Sequence, residues 1–179
     1  MRRFFLILSL FLIGCNSSLE RKDSTQYDKG SLNQLTKTDF DRMADYEIKE
    51  NTESLKILAL KFYKRNPKEL RKTTSDSPEV TVNWLFTSQH NWKFKEINDA
   101  QGIEALNQVF DENFKGDRVL SLITGLYTML IIAHDNQKEF DMFDSLDPQL
   151  IYNAARNVEV IVWRLSTKRK KNGELFLVT

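Results

Sequence analysis

The sequence predicts a mainly α fold, a compact helical bundle or helical-hairpin array of about five to six helices, with a small extended or β insert near 80–97 as its one departure. Three observations carry this. Apolar residues recur at three- and four-residue spacing through most of the chain. Capping residues and prolines bracket the periodic stretches. The single cysteine leaves no intramolecular disulfide, so the fold rests on its own core, which twelve phenylalanines, five tyrosines and three tryptophans can supply.

Thr38 or Asp39 can cap a first segment in which Phe40, Met43 and Ala44 share one face and Ile48 follows. Asn51 or Thr52 can cap a second, NTESLKILALKFYKRNP, where Glu53 suits the first turn. Leu55, Leu58, Ala59 and Phe62 form its stripe, widened by Ile57 and Leu60. Lys61, Lys64 and Arg65 suit its carboxyl end, and Pro67 stops it. Residues 68–79 read as a turn-rich connection ending at Pro78. VTVNWLF starts either a strand or a short helix, and WKFKEI alternates like an extended segment. Its aromatics are expected to pack under the loop rather than to form a ligand platform.

Helix returns at QGIEALNQVFDENF, with Ile103, Leu106, Val109 or Phe110, and Phe114 on one side. Lys115-Gly116-Asp117 is a turn, and Asp117 can cap the next helix. From Val119 to Ala133 no residue is charged, yet the run is too short for a membrane span and is diluted by Ser121, Thr124, Gly125 and Thr128. It reads as a central buried helix, and Ser121, Gly125 and Thr128 would let a neighbouring backbone approach closely. Phe140 and Phe143 fill a short helix or turn. Asp147-Pro148 resembles a cap followed by proline at the first helical position.

The last helix carries Leu150 or Ile151, Ala154, Ala155, Val158, Val162 and Leu165, with Val160, Ile161 and Trp163 broadening its apolar surface. Lys168, Arg169, Lys170 and Lys171 suit its negative pole and read as a solvated end. Gly173 allows the stop. GELFLVT is a strand or an arm against the core, or alternatively a partner-binding segment. LALKFYKRNPKEL has the look of a tetratricopeptide repeat boundary, but no second copy recurs at a period of about 34.

The amino terminus says where the protein is expected to work. Arg2 and Arg3 precede an apolar run from Phe4 to Ile13 broken by Ser9. Ten helical residues rise about 15 Å, against a bilayer core of about 30 Å, so this is a signal-peptide core rather than a span. Leu12-Ile13-Gly14-Cys15 resembles the lipobox of bacterial lipoproteins. The resemblance implies cleavage before Cys15, diacylglycerol on its sulfur and a further acyl chain such as palmitate on its amine. Asn16, rather than aspartate, after the cysteine resembles an outer-membrane address. Two acyl chains hold a protein far better than one. The resemblance covers the targeting segment, and no domain family is recognised beyond it.

The expected organisation is a signal peptide at 1–14, a lipidated cysteine with a polar, flexible tether at 15–38, and one mostly helical domain at 39–179. Of 26 basic side chains, Arg2 and Arg3 leave with the signal peptide, so the remainder nearly balance 25 acidic ones. Such a balance gives no reason to expect nucleic acid as a partner.

No motif announces chemistry. His90 and His134 lack metal-ligand spacing, and His134 is expected to cap a carbonyl or meet solvent. Neither a Gly-x-Ser-x-Gly elbow nor a glycine-rich phosphate loop occurs. Glu53-Ser54 suggests a lytic transglycosylase only until its missing glycine-rich continuation is considered, and capping at a helix start explains it better. Asp39, Asp41, Asp45 and Glu47, and Asp141, Asp144 and Asp147, form acidic groups without calcium-loop spacing. No catalytic, cofactor or metal residue is therefore assigned, and Cys15 is the one assigned site, for lipidation. The leading expectation is a non-catalytic envelope lipoprotein, anchored to the outer membrane through Cys15 and facing the periplasm, that acts as a protein-interaction or assembly module. The enzyme question leans to no. One alternative is a peptidoglycan-active or other envelope hydrolase with dispersed carboxylates. A second is a carrier of a lipid or small apolar ligand.

Overall fold

A computed structural model describes residues 29–87, 90–134 and 148–179, apart from the side chains of 29–42, 44 and 45. The signal peptide, Cys15 and the tether to residue 28 lie outside the described residues, as do Phe140, Phe143, Asp141, Asp144 and Asp147. The chain divides into two units, Met1–Leu35 and Thr36–Thr179. Residues 29–35 of the first are helical.

Six α-helices make up the described residues: α1 (Lys29–Arg65), α2 (Pro67–Thr73), α3 (Pro78–Thr87), α4 (Gly102–Gln108), α5 (Arg118–Ala133) and α6 (Pro148–Thr167). The mainly α expectation holds, and the only β pairing among these residues is an isolated bridge between Arg169 and Leu175.

α1 is one helix of 37 residues where two were expected. Asn51 and Thr52 do not interrupt it, because Thr52 Oγ1 donates to the Ile48 carbonyl one turn back at 2.7 Å, inside the helix rather than at a cap. The helix also begins at Lys29, within the stretch expected as tether. Its buried stripe contains Ala59 and Phe62 as expected, together with Tyr63, whereas Met43 and Ile57 are exposed. Asn66 and Pro67 end it, but Pro67 also opens α2, so 67–73 is helix and not turn.

The ambiguous stretch near 80–97 resolves into two parts. Pro78–Thr87 is helical because Ser77 receives the Val80 N–H on its Oγ and the Thr81 N–H on its carbonyl, with Pro78 and Glu79 in the first turn. Thr81, Val82 and Leu85 bury its inner face. Residues 90–94 carry no strand pairing, and Lys95–Ile97 form one 3₁₀ turn. Trp92 and Phe94 are buried, while Trp84 stays half open.

α5 is the axis of the domain, and α4, α6 and α2 pack on it. Ser121, Gly125 and Thr128 lie on the face toward α4. Ser121 Oγ donates to the Ala105 carbonyl at 2.8 Å, and the Gly102 N–H donates to Thr128 Oγ1 at 2.7 Å. A Cβ on Gly125 would stand 2.7 Å from Leu106 Cγ and 2.9 Å from the Gly102 carbonyl oxygen. The small-residue stripe therefore sets how closely α4 can approach. α4 itself stops at Gln108. Leu106, Val109, Phe110 and Phe114 are buried, the last three in the loop beyond it, and Ile103 is exposed, unlike the single long face expected.

The carboxyl-terminal segment turns back at Gly173, whose φ of +84° suits glycine. It then docks as an arm. Phe176 and Leu177 are buried, and the Asn66 side chain pairs with Val178 like a peptide, accepting its N–H at 2.8 Å and donating to its carbonyl at 3.0 Å.

Two stability effects are expected. Asn66→Ala breaks that pairing and the bond to the Phe62 carbonyl. It should cost about 1–3 kcal/mol in chemical denaturation and speed amide exchange at Val178. Thr124 Oγ1 is buried without a hydrogen-bond partner among the described residues. Thr124→Val should therefore raise the unfolding free energy by about 1 kcal/mol, and a loss of stability would contradict this.

Candidate functional site

Distant stretches bring cations to one open groove of about 400 Å³. Lys72 comes from the end of α2, Lys115 from the loop before α5, Arg118 from the first turn of α5, and Lys170 and Lys171 from the carboxyl-terminal turn, with Glu112 and Phe114 completing the wall. Each position has a local cause. Lys72 Nζ is held by both Glu69 carboxylate oxygens, at 2.8 and 2.7 Å, and donates to the Gly116 carbonyl at 3.0 Å. Gly116 is required there, since a Cβ would fall 2.1 Å from the Glu96 carbonyl oxygen.

Arg118 is only 7% exposed. Its Nε donates to the Val109 carbonyl at 3.1 Å and its Nη2 to the Asp111 carbonyl at 2.8 Å. The guanidinium lies 5.6 Å from the Phe114 ring and 5.7 Å from Phe176. Glu112 accepts the Lys171 N–H at 2.5 Å and lies 3.5 Å from Lys171 Nζ. These contacts fix a groove with a net positive wall. Lys170 and Lys171, expected as a solvated helix end, line it. No sequence signal pointed to Lys72, which follows Arg71 in one segment, or to Lys115 and Arg118, three residues apart in another.

A second surface is the outer side of α6. Leu150, Ala154, Ile161 and Leu165 face inward, partly or fully buried. Ala155, Val158 and Val162, expected in the core, are exposed. So are Tyr152 and Trp163, with Trp163 at 64% and Val162 at 60%. A single helix buries only one arc, and the apolar residues of α6 cover more than that arc. Arg156 and Glu159 pair at 2.6 Å within the exposed side.

The aromatic loop makes a smaller pocket of about 220 Å³. Trp92 stacks on Tyr127 with ring centres 4.0 Å apart, and its backbone takes a φ of +52°, a left-handed conformation unusual for a bulky residue. His90 Nδ1 accepts the Trp92 N–H at 3.2 Å, so Nε2 carries the proton donated to the Leu85 carbonyl at 2.8 Å. Both ring nitrogens thus hold the loop. His134 ends α5 with Nδ1 2.9 Å from the Leu130 carbonyl oxygen, as a carbonyl cap.

The remaining candidates stay apart. Glu53 and Ser54 lie inside α1 rather than at a helix start, and Glu53 pairs with Lys56. Glu47 is exposed, and the side chains of Asp39, Asp41 and Asp45 lie outside the described residues. Among the described residues no group of three His, Cys, Asp or Glu could hold a metal, and no helix is long and apolar enough to cross a membrane.

Among the described residues, Asp117 is the most perturbed acid. It is fully buried and accepts from Val119 N, Leu120 N, Tyr63 Oη and Thr73 Oγ1 at 2.8 to 3.0 Å. Burial pushes its carboxyl up from 3.8 to about 6, opposed by hydrogen bonds from Leu120, Thr73 and Tyr63. Burial likewise raises the Tyr63 phenol, with the Asp117 charge adding to it, so it stays a donor. Glu69 stands beside this group and accepts the Arg118 N–H at 2.8 Å. Two carboxylates thus meet at one helix start, but their oxygens are engaged by N–H and O–H donors, and Asp117 has no exposed surface for a substrate to touch.

Between pH 6 and 3.8 folded Asp117 binds more protons than the unfolded residue. It therefore adds stability as pH falls through this window, and that increment is lost as pH rises through about 6. The difference between wild type and Asp117→Asn, measured by denaturant unfolding at pH 4 and pH 7, should isolate an effect of about 2–3 kcal/mol. Asp117→Ala should cost about 2–4 kcal/mol at pH 7, because the α5 amides and two hydroxyls lose their acceptor.

No protein-family model matches this chain, and neither a curated protein nor a solved structure matches it.

Proposed function

We propose that this protein is an envelope lipoprotein, held at the outer membrane through lipidated Cys15, whose helical domain binds another envelope protein rather than catalysing a reaction. The single observation that carries the binding role is the outer side of α6. Tyr152, Val158, Val162 and Trp163 stay exposed on a helix whose other face is already packed. Large apolar and aromatic side chains are the usual anchors of protein interfaces. Glu159 lies three and four residues from Val162, Trp163 and Ala155, in the middle of this surface. An acyl layer would leave that carboxylate badly solvated, whereas a protein partner can pair it along with Arg156. The lipobox-like Leu12-Ile13-Gly14-Cys15 supports the anchor.

Crosslinking in the native membrane, followed by mass spectrometry, tests this. Wild type should capture one specific envelope protein. Cys15→Ala should lose it by mislocalising. Val162→Ser with Trp163→Ser should stay anchored and folded but lose at least about tenfold of the capture, as expected when interface anchors are removed. Equal capture by wild type and the α6 variant, or capture of no protein at all, would overturn the reading.

A further inference from the structure

We propose that the cationic groove between α2, the 111–116 loop and the carboxyl-terminal turn is a binding site for a phosphate-bearing ligand. This stands independently of the anchored-module reading. Five cations line the groove; Lys72, Lys170 and Lys171 face Glu69, Glu174 and Glu112, which leaves Lys115 and Arg118 without a carboxylate partner among the described residues. Two uncompensated cations beside the weakly paired Lys171 suit a multiply charged oxyanion better than a single carboxylate.

The site is also built rather than merely basic. Arg118 is buried, its Nε and Nη2 are fixed by the Val109 and Asp111 carbonyls, and its plane is held against Phe114 and Phe176. Its Nη1 makes no hydrogen bond with any described residue, which leaves a pre-oriented donor on a residue that lines the groove. A guanidinium so held loses little freedom on binding an oxyanion. Lys115 is exposed and forms no ion pair with any described residue. Lys171 has only a 3.5 Å contact with Glu112, a weak pair that an incoming phosphate can outcompete. Lys170 has a 3.9 Å contact with Glu174, and Lys72 is held more firmly. Its Nζ is committed to Glu69 and Gly116, so it contributes field rather than a free donor.

The test is the thermal unfolding of the full chain with inorganic pyrophosphate, against sodium chloride at equal ionic strength. Pyrophosphate should raise Tm and sodium chloride should not. Lys115→Gln with Lys171→Gln replaces two exposed side chains and should melt as wild type without ligand, yet bind pyrophosphate about tenfold more weakly by calorimetry. Glu112→Gln keeps the oxygen that receives the Lys171 N–H but removes the competing charge, so pyrophosphate should bind about threefold more tightly. Equal affinity in all three proteins, or no pyrophosphate-specific shift in wild type, would overturn the proposal. Glycerophosphoglycerol, the bare head group of an anionic lipid, distinguishes the source. Binding comparable to pyrophosphate assigns a lipid phosphodiester, and binding of pyrophosphate alone assigns a free or terminal phosphate. Tighter binding of tetraglutamate than of pyrophosphate would instead assign the groove to acidic peptide and overturn the phosphate assignment.

Discussion

The fold depends on how the amino end of α5 is satisfied inside the protein. A helix start presents N–H groups and a partial positive charge, and burying it without acceptors is costly. Here Asp117 receives Val119 N and Leu120 N, while Glu69 of α2 receives Arg118 N. Tyr63 of α1 and Thr73 of α2 close the remaining lone pairs of Asp117. One carboxylate thus ties α1, α2 and α5 together. Its raised proton affinity is the cost of burial, and its hydrogen bonds are what keep it there.

From that fixed end the packing of the axis follows. α5 has small or hydroxyl side chains where α4 crosses it, so two backbones approach and exchange hydrogen bonds through Ser121 and Thr128. The loop from there to Asp117 buries its own Val109, Phe110 and Phe114. Arg118 then fills the space between that loop and the returning carboxyl-terminal arm, its side chain buried and its Nε and Nη2 on backbone carbonyls. A structural role and a position on the groove wall coexist in one side chain.

The two surfaces differ in kind. The groove is polar, with Lys72 and Arg118 held by backbone carbonyls and Lys115 and Lys171 exposed. The α6 side is apolar and set on a regular helix, with the charged pair Arg156 and Glu159 within it. The buried Asp117 caps α5, and His90 and His134 both bond backbone carbonyls.

Local chemistry made much of this legible in the sequence. Asp117 before a long uncharged run is a cap signature, and Ser121, Gly125 and Thr128 within that run announced a close crossing. Pro148 opened α6 where expected. Two boundaries misled because their signals are two-sided. Asn51 and Thr52 can cap a helix or sit within one, and Pro67 both ends α1 and begins α2. Ser77-Pro78-Glu79 held the answer for the next segment, but the alternation of VTVNWLF obscured it. By itself the sequence determined the helical class, the central helix with its cap, and the lipobox-like start that sets the expected location. Only the tertiary structure decided which arc of α6 is buried and which cations meet. Periodicity defines an apolar face without saying how much of it a neighbour will cover, and Lys72, Lys115, Arg118, Lys170 and Lys171 become one wall only when four separate segments are folded together.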